Sequence, residues 1–305
     1  MPFFFCYSGR ALPVSSEVPA RWQHTLCTPV HCAGTGLHSG LAVQMTLRPL
    51  EANQGICFVR SDLPDEQNEI KISQAKIAGT HRATRIANGS GAELATVEHL
   101  LAAFAGLRLD NVQVEIDGPE VPTMDGCAAY FCELLHQAGL AEQSALRTYI
   151  RVLQKISVED GPAQASFSPN THALLDVGID YDHPLIGRQS CQFEVNPQTF
   201  TDEIAPARTF ALRSEVAALQ ASGKALGGTL DNCLVVGPEG IENLDGLKFE
   251  NEFARHKALD ALGDLAMAGA PILGLYHARH GGHRINAMAV AALMAEPSAW
   301  EKVTF

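Results

Sequence analysis

The sequence predicts an α+β fold in which strands outnumber helices and pair as meanders. Three observations predict it. Segments of alternating apolar and polar residues recur in both halves of the chain. They are clearest in LAVQMTLRPL (41–50), where Leu41, Val43, Met45 and Leu47 point one way and Gln44, Thr46 and Arg48 lie between them. Helical periodicity is confined to a few stretches, placed late in each half. Strands also follow one another without a helix between each pair, which argues against a wound parallel sheet.

In chain order, 22–30 reads as a first strand, followed by the Gly-rich turn GTGLHSG (34–40) and the strand at 41–50. Further strands are expected at 55–60 and 70–76. TVEHLLAAFAGL (96–107) is a helix ending at Gly106, with Thr96 as its N-cap. A strand at 111–116 and a turn at Asp125-Gly126 lead to a helix that stops at Gly139. The polar stretch AEQSALRT (141–148) reads as a bridge, dividing the chain into units 22–143 and 144–305 behind a loose N-terminal extension, 1–21. In the second unit strands are expected at 149–158, 163–168, 173–181, 191–195, 232–236 and 272–276. Helices are expected at 214–222 with Ser214 as N-cap, from Asn251 onward, and near 285–294.

A length of 305 residues suffices for two domains with cores of their own. Lys and Arg total 22 against 34 Asp and Glu, a net charge of −12, which argues against nucleic acid or an anionic membrane as the main partner. The eight cysteines form no C-x-x-C pair and sit mostly in apolar runs, so a reducing compartment without a thiolate metal site is expected. No stretch approaches the ~20 apolar residues of a membrane span, and a cytoplasmic location is expected.

The segment NEFARHKALDALGD (251–264) carries the chemistry. Phe253, Leu259, Leu262 and Leu265 mark a helix with one buried face, and His256 and Asp260, four residues apart, project from one side of it. Such a pair can supply two corners of a tetrahedral zinc site, although H-x-x-x-D alone also describes a solvated face. His99 is a candidate third ligand. Glu98 precedes it and diverges by about 100° around its helix, so it can serve a water beside the cation as general base. His283, in HARHGGHRIN, is a candidate general acid with Gly281 and Gly282 leaving room beside it, and Asp264 could orient its ring. Equally, His277, His280 and His283 could form a polar loop. Thr209, in Arg208-Thr209-Phe210, could donate to a developing oxyanion, and Lys257 could meet an anionic substrate group. A turn hydroxyl and a solvated lysine are the ordinary alternatives.

Taken together, GTGLHSG (34–40), TVEHLLAAFAGL with DN (96–111), PE-x-P-x-MDG (119–126), IDYDHP (179–184), ARTF (207–210), GG-x-x-DN (227–232), F-x-RHK-x-LDALGDL (253–265) and GGH (281–283) resemble the UDP-3-O-acyl-N-acetylglucosamine deacetylases, zinc enzymes of lipid A synthesis. The resemblance runs from about Trp22 to Phe305. It implies one Zn²⁺ on His99, His256 and Asp260, Glu98 as general base, and His283 as general acid beside Asp264. Thr209 would steady the tetrahedral intermediate, Phe210 pack on the sugar, Lys257 meet the diphosphate, and Asp180 and Tyr181 contact the uridine. His38 falls in the family's turn near the site without an assigned role. The implied fold is a two-domain sandwich, each domain a mainly antiparallel sheet plus two helices, with the helices packed between the two sheets. An insert at 211–236 would line a tunnel for the acyl chain with Leu212, Val216, Leu219, Leu226 and Leu230. The implied substrate is an acylated UDP-glucosamine, met by a monomer with at most transient contact with a membrane surface. The rivals are a zinc amidase acting on another acylated sugar and a nucleotide-sugar binding protein without catalysis.

Overall fold

The computed structural model describes residues 19–305, so residues 1–18 of the expected N-terminal extension lie outside the described residues. Trp22–Leu26 forms β1, Val30–Thr35 β2, Ala42–Pro49 β3, Ile56–Arg60 β4 and Glu69–Lys71 β5. Lys76–Gly79, Arg85–Ala87 and Glu93–Ala95 are β6, β7 and β8. Helix α1 (Glu98–Gly106), strand β9 (Val112–Ile116), helix α2 (Ala129–Ala138) and strand β10 (Leu140–Leu146) complete the first half. The second half opens with β11 (Tyr149–Val152), β12 (Ile156–Asp160), β13 (Ala163–Ser168), β14 (Ala173–Asp180) and β15 (Arg188–Glu194). Helix α3 (Pro197–Thr199) is a single turn, followed by β16 (Phe210–Leu212), α4 (Arg213–Ala221), β17 (Leu234–Val236) and α5 (Glu252–Leu265). Strand β18 (Ile272–Arg279), helix α6 (His283–Ala295) and strand β19 (Trp300–Val303) end the chain.

The fold is α+β with mostly antiparallel pairing. One sheet has the order β2-β3-β9-β4-β5, with β4 and β9 its parallel pair. A second, seven-stranded sheet runs β12-β13-β18-β11-β19, and β14 lies parallel to β18 and antiparallel to β15. The alternating side chains do what the period-2 pattern requires: Val43, Met45 and Leu47 of β3 are buried against Val114 and Ile116 of β9. Helices α1, α2, α5 and α6 form the layer between. Helix α5 packs on α1 from the first half and on α6, β14 and β15 from the second, while α6 covers β12 and β13.

The α1–α5 crossing positions the site, and Gly263 permits it. A Cβ at that position would stand 1.9 Å from the carbonyl oxygen of Glu98, so only glycine lets the two helix backbones approach so closely. Phe253, Leu259, Leu262 and Leu265 turn inward, as their spacing requires.

Several local expectations are corrected. Thr96 is not an N-cap: its φ is +57°, Val97 takes the cap position, and the Thr96 hydroxyl donates to buried Glu120. Asn251 occupies the N-cap of α5 without capping it, because its side chain accepts from Arg255 and donates to the Ser190 carbonyl. Ser214 lies inside α4, whose cap position is Leu212. Leu41 precedes β3 and is exposed rather than facing inward. The polar bridge at 141–148 is largely strand β10, zipped antiparallel to β1. Its Gln143 is satisfied inside by Asn111 and the Leu50 carbonyl.

Candidate metal and acid–base site

Helix α1 presents Glu98 and His99 in its first turn, and α5 brings His256, Asp260 and Asp264 along one stripe. All five side chains are buried. The Nε2 atoms of His99 and His256 each lie 3.4 Å from Oδ1 of Asp260, and the two rings meet edge-on with centroids 4.9 Å apart. The Nδ1 of His256 is 3.0 Å from the Ala207 carbonyl, which can only accept, so the proton sits on Nδ1 and the Nε2 lone pair is free. Burial, working mainly by desolvation, pushes His256 down to about 3, which keeps the ring neutral.

Asp260 supplies the test of fit. Its Oδ2 accepts from Lys257 Nζ at 2.8 Å, whereas its buried Oδ1 has no hydrogen-bond partner although it stands between two imidazole nitrogens. An orphaned carboxylate oxygen flanked by two lone-pair donors is the arrangement a divalent cation satisfies. Burial alone would raise the Asp260 carboxyl, but His256, Lys257 and His283 hold it well below the usual range, so it is ionised. His99, His256 and Asp260 therefore form a group positioned to hold a metal ion.

Beside this trio lies an acid–base pair. Oε1 of Glu98 is 3.7 Å from Nε2 of His283, and Oε2 of Glu98 accepts from the Thr84 amide at 3.1 Å. Desolvation raises Glu98 to about 6. His283, expected in a loop or beside a helix, is the first residue of α6 and is buried. Its Nδ1 lies 2.9 Å from Asp264 Oδ2. Burial works to lower its pKa, but Asp264, Asp260 and Glu98 outweigh it and raise the imidazole to about 9. At neutral pH the pair is thus a carboxylate facing an imidazolium, one able to accept a proton and the other to give one.

His283 lines a cleft of about 270 Å³, whose other walls include Arg82, Tyr181, Thr209, Phe210 and Lys257. Thr209 is held on the wall by its amide, which donates to the Gly126 carbonyl at 2.8 Å. Gly126 has φ +79°, and a Cβ there would strike the Asn232 carbonyl at 2.0 Å. Phe210 meets Tyr181 and Phe253 edge-on, at 5.5 and 4.9 Å, and Lys257 Nζ sits 5.5 Å over its ring. Asp180 is exposed at the end of β14 and paired with Arg188, outside the cleft lining. His38 is half-buried against the insert, its Nδ1 facing the Ala225 amide at 3.3 Å. Of the neighbouring histidines, His277 pairs with Asp176 and His280 lines the cleft.

A buried ion pair fixes the wall to helix α5. Arg208 reaches Glu252, the first residue of α5, through Nε at 2.9 Å, and Glu252 also accepts the Arg208 and Lys248 amides. The same strut aligns Ala207, Thr209 and Phe210 with His256. The insert is less enclosed. Helix α4 has no buried residue, and Leu226 and Leu230 are exposed.

Reading the sequence did not find Thr84, Asn286 or Glu120 as parts of the site. Thr84 bonds both Glu98 and Asp264, Asn286 donates to Asp264 at 2.8 Å, and Glu120 holds the His38-Ser39 amides and Thr96. Asn286 left a signal, three residues after His283, and Glu120 lies within the PE-x-P-x-MDG run, whereas Thr84 left none.

Comparison with known proteins agrees over most of the chain. Residues 23–295 match the family model for UDP-3-O-acyl N-acetylglycosamine deacetylase. A Pasteurella multocida protein named UDP-3-O-acyl-N-acetylglucosamine deacetylase is 44% identical over 285 residues, covering 93% of each chain. Proteins of that name from Haemophilus influenzae and Brucella melitensis are 43% and 42% identical, over 93% and 92% of this chain and 93% and 98% of their own.

Proposed function

The chain belongs to the UDP-3-O-acyl N-acetylglycosamine deacetylase family, and from that premise we propose how its residues carry the reaction. It is a hydrolase that removes the acetyl group of a UDP-3-O-acyl-N-acetylglucosamine in lipid A synthesis, releasing acetate and the free amine. His99, His256 and Asp260 would hold one Zn²⁺, which supplies a Lewis acid for the amide carbonyl and lowers the pKa of water toward ~7.

The remaining work falls to the chain itself. Glu98 takes a proton at Oε1 as water attacks the acetamide carbon. His283, charged and 3.7 Å away, gives a proton from Nε2 to the departing glucosamine nitrogen. Asp264 keeps the His283 ring oriented and stabilises its charged form. Thr209 donates to the oxygen that becomes negative in the tetrahedral intermediate. Phe210 packs on the sugar, Lys257 meets the diphosphate, and Tyr181 with Asp180 contacts the uridine. The half-exposed apolar face of 211–236, including Leu212, Val216 and Leu219, receives the acyl chain, whose burial would cover surface that the protein leaves open.

What supports this reading above all is one juxtaposition. A carboxylate and an imidazole of opposite proton-transfer tendency sit against a trio whose central oxygen lacks a partner. No helix among the described residues is long and apolar enough to cross a membrane. We place the enzyme in the cytoplasm as a monomer that meets its acylated substrate near a membrane surface. Acetate release from an acylated UDP-N-acetylglucosamine by zinc-loaded protein tests the reading. A protein that binds this compound with zinc present and yields no acetate would instead be a nucleotide-sugar binder.

A further inference from the structure

We propose that Thr84 is a positioning residue that sets the general base and the general acid against each other. The proposal rests on the deacetylase reading for what Glu98 and His283 do. Thr84 lies between β6 and β7 and is 1% exposed. Its backbone amide donates to Glu98 Oε2 at 3.1 Å, and its hydroxyl donates to Asp264 Oδ1. Its carbonyl accepts from the Val97 amide at the start of α1. One residue therefore touches the base directly and the acid through a single intermediary.

The geometry makes this more than packing. Glu98, Asp264 and His283 stand on three different helices, α1, α5 and α6, so no helix fixes their relative orientation. Asp264 Oδ2 is taken by His283 Nδ1 and Asn286 Nδ2, leaving Oδ1 to Thr84. Without the hydroxyl, Oδ1 is a buried acceptor with no partner among the described residues, and the carboxylate is held only through Oδ2. The His283 ring follows, because Asp264 is what its Nδ1 proton is bonded to. The Thr84 amide meanwhile pins Oε2 of Glu98 and leaves Oε1 as the oxygen that faces His283. Valine matches threonine in shape but lacks the donor, whereas serine keeps the donor and loses only a methyl group.

The experiment compares Thr84→Val, Thr84→Ala and Thr84→Ser with the unaltered zinc-loaded enzyme on an acylated UDP-N-acetylglucosamine. Val and Ala should lower kcat between about 10- and 100-fold, the range expected from losing a hydrogen bond to a charged group, with KM changed by less than about threefold. Zinc content should stay unchanged, and Ser should restore kcat to within about threefold. In parallel, the downfield proton resonance of the His283 Nδ1–H···Asp264 bond should move or broaden in Val and Ala but not in Ser. Unchanged kcat and an unmoved resonance in Val and Ala would overturn the proposal, as would a Ser variant as impaired as Val. If Val perturbs folding, Ala, which adds no methyl group against Asp264, decides. Acetate release by the unaltered enzyme is the separate control: its absence defeats the deacetylase reading, while the resonance still decides the role of Thr84.

Discussion

Nδ1 of His283 lies 2.9 Å from Oδ2 of Asp264, and both side chains are buried. This contact is what lets the His283 ring keep its proton at neutral pH. Burial by itself would hold the ring neutral, but Asp264 heads the carboxylates that raise it to about 9. Glu98, raised to about 6 by desolvation, must be ionised to act as base. Activity in kcat/KM is therefore expected to rise with pH as Glu98 loses its proton and to fall again as His283 loses its own. A cation at the adjacent trio stabilises the carboxylate and disfavours the imidazolium, so it moves both limbs to lower pH together. Asp264→Asn removes the charge but keeps the shape. Its alkaline limb should shift downward by about one to three pH units, measured as the pH profile of kcat/KM, with the acid limb nearly unmoved.

Glu98→Gln tests the base separately from the metal. Glutamine keeps the volume and can still accept from the Thr84 amide, but it takes no proton. Zinc content should be unchanged and kcat should fall by about 10²–10⁴-fold. Retained turnover would assign the proton transfer to another group.

Gly263→Ala tests the helix crossing. The added Cβ would meet Glu98 backbone atoms at 1.9 to 2.9 Å, which cannot be relieved by rotating a side chain. Overpacking of this kind costs about 1–3 kcal/mol or more. Because the clash lies between the two helices that carry the trio, zinc affinity should weaken alongside the melting temperature. A stable variant with native zinc affinity would show that α1 and α5 need not approach so closely.

Arg208→Met leaves Glu252 buried with no counter-charge, and breaking such a pair costs about 3–5 kcal/mol. Adding Glu252→Gln should recover part of that loss, since the orphaned charge is then gone. Denaturant melts of the single and double variants measure it. Equal melting of both would show that the pair contributes little.

Part of the site was legible because three of its residues, His256, Asp260 and Asp264, share one periodic helix. Four-residue spacing on an apolar stripe brings His256 and Asp260 to 3.4 Å, and the same stripe carries Asp264 to the His283 ring. Strand alternation likewise put Val43, Met45 and Leu47 inside. What escaped the sequence depends on distant partners. Thr96 has the composition of a helix cap, yet Glu120, 24 residues on, takes its hydroxyl and its backbone turns to positive φ. Thr84 reaches Asp264 across 180 positions from a segment with no periodicity at all. Gln143 looked like part of a polar linker, and its burial is explained only by Asn111 and Leu50, 32 and 93 positions away in the sequence.

Zinc K-edge absorption of the loaded protein measures the ligand set directly. Two imidazole nitrogens at about 2.0–2.1 Å with oxygen ligands at about 2.0–2.2 Å are expected, from His99, His256, Asp260 and water. A sulfur shell near 2.3 Å, or a single imidazole, would mean that the cation is held elsewhere.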